Sequence, residues 1–460
     1  MRPLVMKFGG TSVADATAIG RVVHLVKDAA SQGPTVVVVS AMSGMTDELL
    51  HTCELARTGQ VQEIDATVSI VEARHREAVA ELFRGAPAEA SEVLRAISEQ
   101  CEELRAVLRS VAVLREITPR GADRVVAAGE LMSSRIVSAA LRHAGVAVQW
   151  VDARKALVTD DGHPAAAPLQ DATRAATQRE VRPVLDRGEV AVLGGFIGAT
   201  TEGVTTTLGR GGSDLSGSVI GAALQAREIQ IWTDVDGMLT ADPRVVSGAQ
   251  VVPHLSFAEA SELAFFGAKV LHPSTILPAV HDGIPVRILN TQRPESPGSL
   301  ITPKAPTSTG AVTALACKRN ISVVDITSTR MLLAHGFLRR VFEIFEHHAT
   351  SVDVVTTSEV SVSMTLDDDR RLEAIVRELS TFAEVNVDRG MSILSAVGDN
   401  LTREPHLAVR LIATLDGLPL RMVSQAASRR NLTVVLSDRD LPDAMSRLHE
   451  EFFSSVETAR

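Results

Sequence analysis

The sequence predicts an α/β fold: a large domain with a mostly parallel central sheet flanked by helices, followed by two small β-α-β-β-α-β modules. Three observations carry this. Residues 35–40 read T-V-V-V-V-S, an unbroken apolar run suited to a strand covered on both faces, as in a parallel sheet. Pro294, Pro297, Gly298, Pro303 and Pro306 punctuate a linker-like stretch ending near Gly310. Beyond it, long strand–helix alternation gives way to short units. The expected boundaries are a large domain over 1–292, a linker over 293–310, and modules over 311–390 and 391–460.

A chain of 460 residues exceeds one ordinary core and implies two or three domains. Hydrophobic residues make up 45%, which excludes broad disorder. The net charge of −10 opposes a nucleic-acid surface. Cys53, Cys101 and Cys317 form no zinc or redox motif and fit a reducing cytoplasm. No apolar run approaches the roughly 20 residues of a membrane span, and residues 1–8 are too short before the first glycine pair to be a signal peptide. The expectation is a soluble cytoplasmic protein with neither membrane nor nucleic acid as partner.

Residues 3–8 read as a buried strand with Lys7 near its end, followed by Gly9, Gly10 and a helix to about Lys27. Lys7 then emerges at the carboxyl edge of the strand, where open α/β sheets bind ligands. It precedes the glycines, so this is no Walker motif; a solvent-facing lysine is the plainer alternative. A second small-residue turn, S-A-M-S-G-M-T, spans 40–46, and Thr46 either holds a ligand or caps the helix starting near Asp47. Residues 48–117 are helical in pattern, a lid or appendage in which Arg74, His75 and Arg76 form a solvated face. Glu130, directly after Gly129, stands at the first turn of a helix over 131–143, where a carboxylate suits the helix dipole. Residues 146–151 and 190–193 are further strands.

Residues 205–218 read T-T-T-L-G-R-G-G-S-D-L-S-G-S. Such a turn lets backbone N–H groups approach an anion, and the following helix adds its positive end. Arg210 offers a planar fork for a carboxylate or phosphate. Alternatively, the segment is a glycine loop in which Asp214 merely caps the helix. A strand over 229–233 leads to Thr233-Asp234 and, later, Asp242-Pro243-Arg244, an edge for a nucleotide or a plain series of turns. Ser256 and Glu259 form a capping-box pattern for a helix ending near Lys269, whose charge complements the dipole. A last strand covers 284–290.

Past the linker, strand 321–326, helix 336–347, strands 351–356 and 360–366, helix 370–382 and strand 385–388 give the ferredoxin-like split unit. Residues 391–455 repeat it weakly as strands 393–397 and 407–412, helix 421–429, strand 432–437 and helix 441–453. The histidines show no ligand spacing. Asp367-Asp368-Asp369 reads as a turn and helix cap, because a Ca²⁺ loop needs more ligands.

Together, K-F-G-G-T-S-V (7–13), S-A-M-S-G-M-T (40–46), G-E (129–130), L-G-R-G-G-S-D (208–214), W-T-D-V-D-G (232–237), D-P-R (242–244) and G-A-K-V-L-H-P (267–273) resemble aspartate kinases. These are members of the amino-acid kinase family that carry C-terminal ACT modules. Segment 351–363 is most similar to the monofunctional, lysine-sensitive type. The resemblance implies transfer of the ATP γ-phosphoryl group to the β-carboxylate of L-aspartate, with Mg²⁺ bridging ATP phosphates and no dedicated protein metal site. It implies Lys7 and Asp214 as catalytic residues, with Asp214 orienting cations. Thr46, Glu130, Arg210 and Ser213 would hold aspartate, Arg210 at its α-carboxylate and Glu130 at its ammonium. Lys7, Gly9, Gly10, Gly211, Gly212, Thr233, Asp234, Arg244 and Lys269 would serve ATP. Met331, Gly336, Phe337, Leu338, Ser351 and Asp353 would bind an amino-acid effector.

Two positions depart from the family pattern: Leu239 stands where a nucleotide-pocket tyrosine is common, and Ala334 replaces an effector-loop serine. Threonine, or both amino acids, therefore remain open beside lysine. The resemblance further implies a homodimer or homotetramer paired through the ACT modules. A family relative with another acceptor and a catalytically dead amino-acid sensor are the alternatives.

Overall fold

The computed structural model of the chain describes all residues except 268–272, 306–310, 329–334, 400, 402–403, 426–428 and 455–460, and the side chain of residue 273. Two units divide it, Met1–Met238 with Leu271–Pro303, and Leu239–Val270 with Lys304–Arg460.

In the first unit the strands lie in the order Val148–Trp150, Val190–Gly194, Thr35–Val39, Leu4–Phe8, Glu228–Thr233, Val286–Asn290, all parallel. All five residues of Thr35–Val39 are buried, as the valine run predicts. Leu4–Phe8 occupies the centre. Its sequence-neighbour Thr35–Val39 lies on one side and Glu228–Thr233 on the other, so the crevice past Phe8 is a switch point of the kind that binds ligands. Alternation sends Met6 and Phe8 into the apolar core shared with helices Ala16–Gln32 and Ala128–His143. Lys7 faces helix Gly212–Leu224 instead, and Gly217 gives it room: a Cβ there would stand 3.2 Å from Lys7 Cβ.

Three expectations about this unit are corrected. Ser299–Thr302, inside the expected linker, is a strand antiparallel to Val286–Asn290, its Ile301 fully buried. Helices Met45–Thr58, Val61–Leu82 and Pro87–Leu114 are no appendage, because Leu49, Ile64, Val68, Val71, Ile97 and Leu108 belong to the same core as Phe8. Nor is His75 solvated. It is fully buried, its Nδ1 is 2.7 Å from Val71 O, and burial pushes its pKa down to about 4, keeping the ring neutral.

The second unit takes in residues 239–270 as well as residues 304–460. Ala241 and Val246 join its core, and Glu259 accepts the Thr313 hydroxyl (2.6 Å) and the Asp399 N–H (2.9 Å). The capping box of Ser256 and Glu259 forms as read. One antiparallel sheet follows the order Val355–Thr357, Ser361–Leu366, Ala314–Thr327, Glu384–Val397, Asn431–Ser437, Met422–Gln425.

The expected boundary at 390 falls within the strand Glu384–Val397. Glu384–Val397 and Ala314–Thr327 are each shared by both modules. Residues 321–327 pair with 384–391, and residues 314–318 pair with 393–397, with register shifts between. The second module is thus closed by a strand that precedes the first in sequence. Two elements are also exchanged. Leu407–Thr414 is a helix burying Leu407 and Leu411, four residues apart, while Met422–Gln425 is a strand. Among the described residues no helix is long and apolar enough to cross a membrane.

Candidate active site

At the carboxyl end of the central strand, Lys7 is 7% exposed and its Nζ lies 2.6 Å from Asp214 Oδ1. Asp214 is in the first turn of helix Gly212–Leu224, whose N-cap is Gly211 at φ +72° with no side-chain cap bond. Asp214 therefore answers Lys7 rather than capping. Gly209 also has positive φ (+71°), which favours glycine. Gly212 approaches Phe196 so closely that a Cβ would stand 2.6 Å from its ring. Arg210, between these glycines, is exposed and has no ion pair among the described residues.

Gly9 donates its N–H to Trp232 O (3.0 Å), binding the turn to the neighbouring strand, and a Cβ on Gly10 would sit 3.1 Å from Ala41 O. Thr46 belongs to the first turn of helix Met45–Thr58, which starts after Gly44 at φ +79° without a side-chain cap. The capping role open to Thr46 is thus not taken. Thr233 and Asp234 end their strand side by side, with Thr233 Oγ1 3.1 Å from Asp234 Oδ1.

Glu130 is the most perturbed group of the cleft. Helix Ala128–His143 packs so near the 40–46 turn that a Cβ on Gly129 would stand 2.8 Å from Ala41 Cβ. The Glu130 side chain is consequently buried, 2% exposed. Oε1 accepts the Ala41 N–H at 3.2 Å, and Oε2 meets no donor among the described residues. Burial pushes the carboxyl up to about 8, only partly offset by the backbone hydrogen bond.

Lys7, Gly9, Gly10, Thr46, Glu130, Arg210, Gly211, Gly212, Ser213, Asp214, Thr233 and Asp234 line one cleft of about 810 Å³. Arg244 is in the second unit, where Nη2 pairs with Asp242 Oδ2 at 2.6 Å. Lys269 lies outside the described residues. The cleft also contains residues that the sequence reading missed, Asp123 foremost. A signal existed: Asp123 is seven residues before Glu130, two helical turns, but between Arg120 and Arg124 it looks like an ordinary surface acid.

In the second unit, Gly336 is the left-handed N-cap (φ +85°) of helix Phe337–His347, and Phe337 packs edge-on against Phe382. Leu338 and Ser351 are exposed. The Asp353 side chain is 6% exposed, with Oδ1 3.1 Å from Lys318 Nζ and Oδ2 without a donor among the described residues. Burial pushes its carboxyl up, against the lowering effect of Lys318. Lys318 also reaches Asp367 at 2.9 Å. Met331 and Ala334 lie outside the described residues.

Residues 2–290 match the amino acid kinase family and residues 394–452 an ACT domain. Aspartokinase 3, chloroplastic, of Arabidopsis thaliana is 39% identical over 465 residues, 98% of this chain and 82% of its own length. Lysine-sensitive aspartokinase 3 of Escherichia coli (strain K12) is 36% identical, over 98% of this chain and 99% of its own. Crystal structures of E. coli aspartokinase III, one with lysine and aspartate in the T state and one with aspartate and ADP in the R state, each superpose with a TM-score of 0.82. Identity is 35%, over 98% of this chain and 99% of theirs.

Proposed function

The chain belongs to the aspartokinase family of amino acid kinases, and from that premise we propose how its residues divide the work. The reaction joins a β-carboxylate oxygen of L-aspartate to the γ-phosphorus of ATP as the β,γ-bridging P–O bond breaks, giving 4-phospho-L-aspartate and ADP. The attacking carboxylate, with a free pKa of about 3.9, needs no general base near pH 7. The protein's task is positioning and charge neutralisation. One observation carries the assignment: the Lys7–Asp214 ion pair and the unpartnered Glu130 oxygen share one cleft at the switch point of the sheet.

Lys7 contacts the transferring phosphoryl oxygens, where its charge counters the transition state. Gly9, Gly10, Gly211 and Gly212 donate backbone N–H groups to the phosphates. Arg210 forks onto the substrate α-carboxylate, Ser213 and Thr46 hydrogen-bond it, and Glu130 takes its ammonium. Thr233 and Asp234 serve the nucleotide. The carboxylate of Asp214 is a hard oxygen donor suited to Mg²⁺, and among the described residues no three side chains cluster to hold a metal by themselves. Asp214 would help hold such an ion, which when bound would neutralise charge on the ATP phosphates. Arg210→Ala should chiefly raise the aspartate KM and Asp214→Ala chiefly lower kcat, both read by aspartyl hydroxamate formation. The reverse pattern would exchange their roles, and silence of the unaltered chain with saturating substrates would refute the whole reading.

Asp353 is the effector's ammonium partner, with lysine the favoured effector and threonine the competitor. Gly336, Phe337, Leu338, Ser351 and Met331 complete this site. The buried Asp353 oxygen and the lysine-bound relative support this. The second-unit modules pair between subunits in a homodimer or homotetramer, which light scattering tests.

A further inference from the structure

Asp123 has no part in the chemistry above, yet it is 2% exposed within the cleft wall. A buried carboxylate is costly unless paired and hydrogen-bonded. Among the described residues, the side-chain partners of Asp123 come from the two segments beside Arg210. The Thr207 N–H donates to Oδ2 at 3.1 Å, and the Thr207 hydroxyl lies 2.7 Å from Oδ1 and 2.9 Å from Pro164 O. His163 Nδ1 contacts Oδ2 directly. The second segment is tied in turn to the first: Ala166 donates its N–H to Thr207 O at 2.9 Å, and Ala165 bridges to Leu208.

Strand Thr205–Thr207 ends at this knot, and Arg210 follows three residues later between two glycines of positive φ. Such a turn has little stiffness of its own. Where Arg210 points is set by the strand end from which the turn springs and by Ala165, which a Cβ on Gly209 would approach to 3.0 Å.

We propose that Asp123 is a positioning residue of the acceptor subsite: through Thr207 and His163 it holds the 208–211 turn so that Arg210 meets the α-carboxylate of the acceptor. This rests on the assignment of Arg210 made above. The carboxylate form matters, since both oxygens accept charge-assisted bonds from Thr207, whereas an amide keeps one neutral acceptor and leaves the Thr207 hydroxyl to donate to Pro164 O instead.

The test is steady-state kinetics of the full chain, varying aspartate and ATP separately, for Asp123→Asn, Thr207→Val and Thr207→Ser. Asp123→Asn and Thr207→Val should each raise the aspartate KM about tenfold, with the ATP KM within about twofold of the unaltered chain. Thr207→Ser keeps hydroxyl and N–H and should behave as the unaltered chain. The double variant Asp123→Asn with Thr207→Val should be no worse than the weaker single, as expected of one shared link. Lower melting temperatures with an unchanged aspartate KM, or equal rises in both KM values, would overturn the proposal. If Asp123→Asn fails to fold, Thr207→Val and His163→Gln give the same reading. Arg210→Lys separates the two layers: no rise in aspartate KM there refutes the Arg210 assignment, while a rise there with none in the Asp123 and Thr207 variants refutes only the positioning role.

Discussion

Glu130 and Asp353 are both buried carboxylates with one oxygen that meets no donor among the described residues, and they differ in what stands at the other oxygen. Glu130 Oε1 has a single backbone N–H, from Ala41. Asp353 Oδ1 has the ammonium of Lys318. A lone amide compensates poorly for burial, so the Glu130 carboxyl titrates near 8 and awaits a cation from outside. Asp353 carries an internal cation, which works against the upward push of burial on its carboxyl. On the roles proposed above, the substrate subsite would gain its charge partner only when substrate arrives, whereas the effector subsite would keep Lys318 as its partner when empty.

Each difference can be broken. The largest effect is expected from Glu130→Gln, which removes the charge but keeps the shape. It should lower kcat/KM for aspartate by about 10²–10³, corresponding to roughly 3–4 kcal/mol for one preorganised group, measured as aspartate-dependent ADP release. Next, Asp353→Asn should raise the lysine concentration for half-inhibition at least about tenfold; equal response of both proteins would move the effector site elsewhere.

A smaller effect concerns pH. The Glu130 pKa is raised on folding, so the unliganded chain binds more protons folded than unfolded and loses stability as pH climbs from about 4.5 to about 8. An arriving ammonium favours the ionised form, so aspartate binding should release a proton between pH 6 and 8. The aspartate KM should fall several-fold over the same interval, and both trends should vanish in Glu130→Gln. Calorimetry in two buffers of different ionisation enthalpy reads the proton directly. The smallest effect is expected from Lys318→Met. It removes a like charge beside the incoming ammonium and should tighten lysine binding by about two- to threefold, a surface-scale ion-pair effect. Weaker binding instead would make Lys318 part of the effector's cradle.

Much of the first unit was legible because its signals are local. Valine runs announce parallel strands, and glycines beside Lys7 and Arg210 announce turns that approach something closely. In the second unit the Ser256–Glu259 capping box, a four-residue pattern, also forms as read. Leu407–Thr414 misled because Val409 (65% exposed) and Ile412 (45%) are apolar without being buried, so a helical stripe resembles a short apolar strand. His75 misled in the opposite way, since its charged neighbours hid a position four residues from both Val71 and Val79 on the buried stripe. The spacing of Asp123 to Glu130 was a faint signal, but its role rests on Thr207 and His163, 84 and 40 residues away. Long-range pairing leaves no local trace.

The two shared strands carry a consequence for how this chain is made. Residues 314–318 leave the ribosome well before 393–397, their sheet partners, so the first module can close while that strand segment still has an open edge. A chain stopped near 390 would keep that edge for good, with Ala314, Leu315 and Ala316 along it and no partner to cover them. Trimming away the last module therefore does not leave a tidier regulatory domain; it leaves a sticky one.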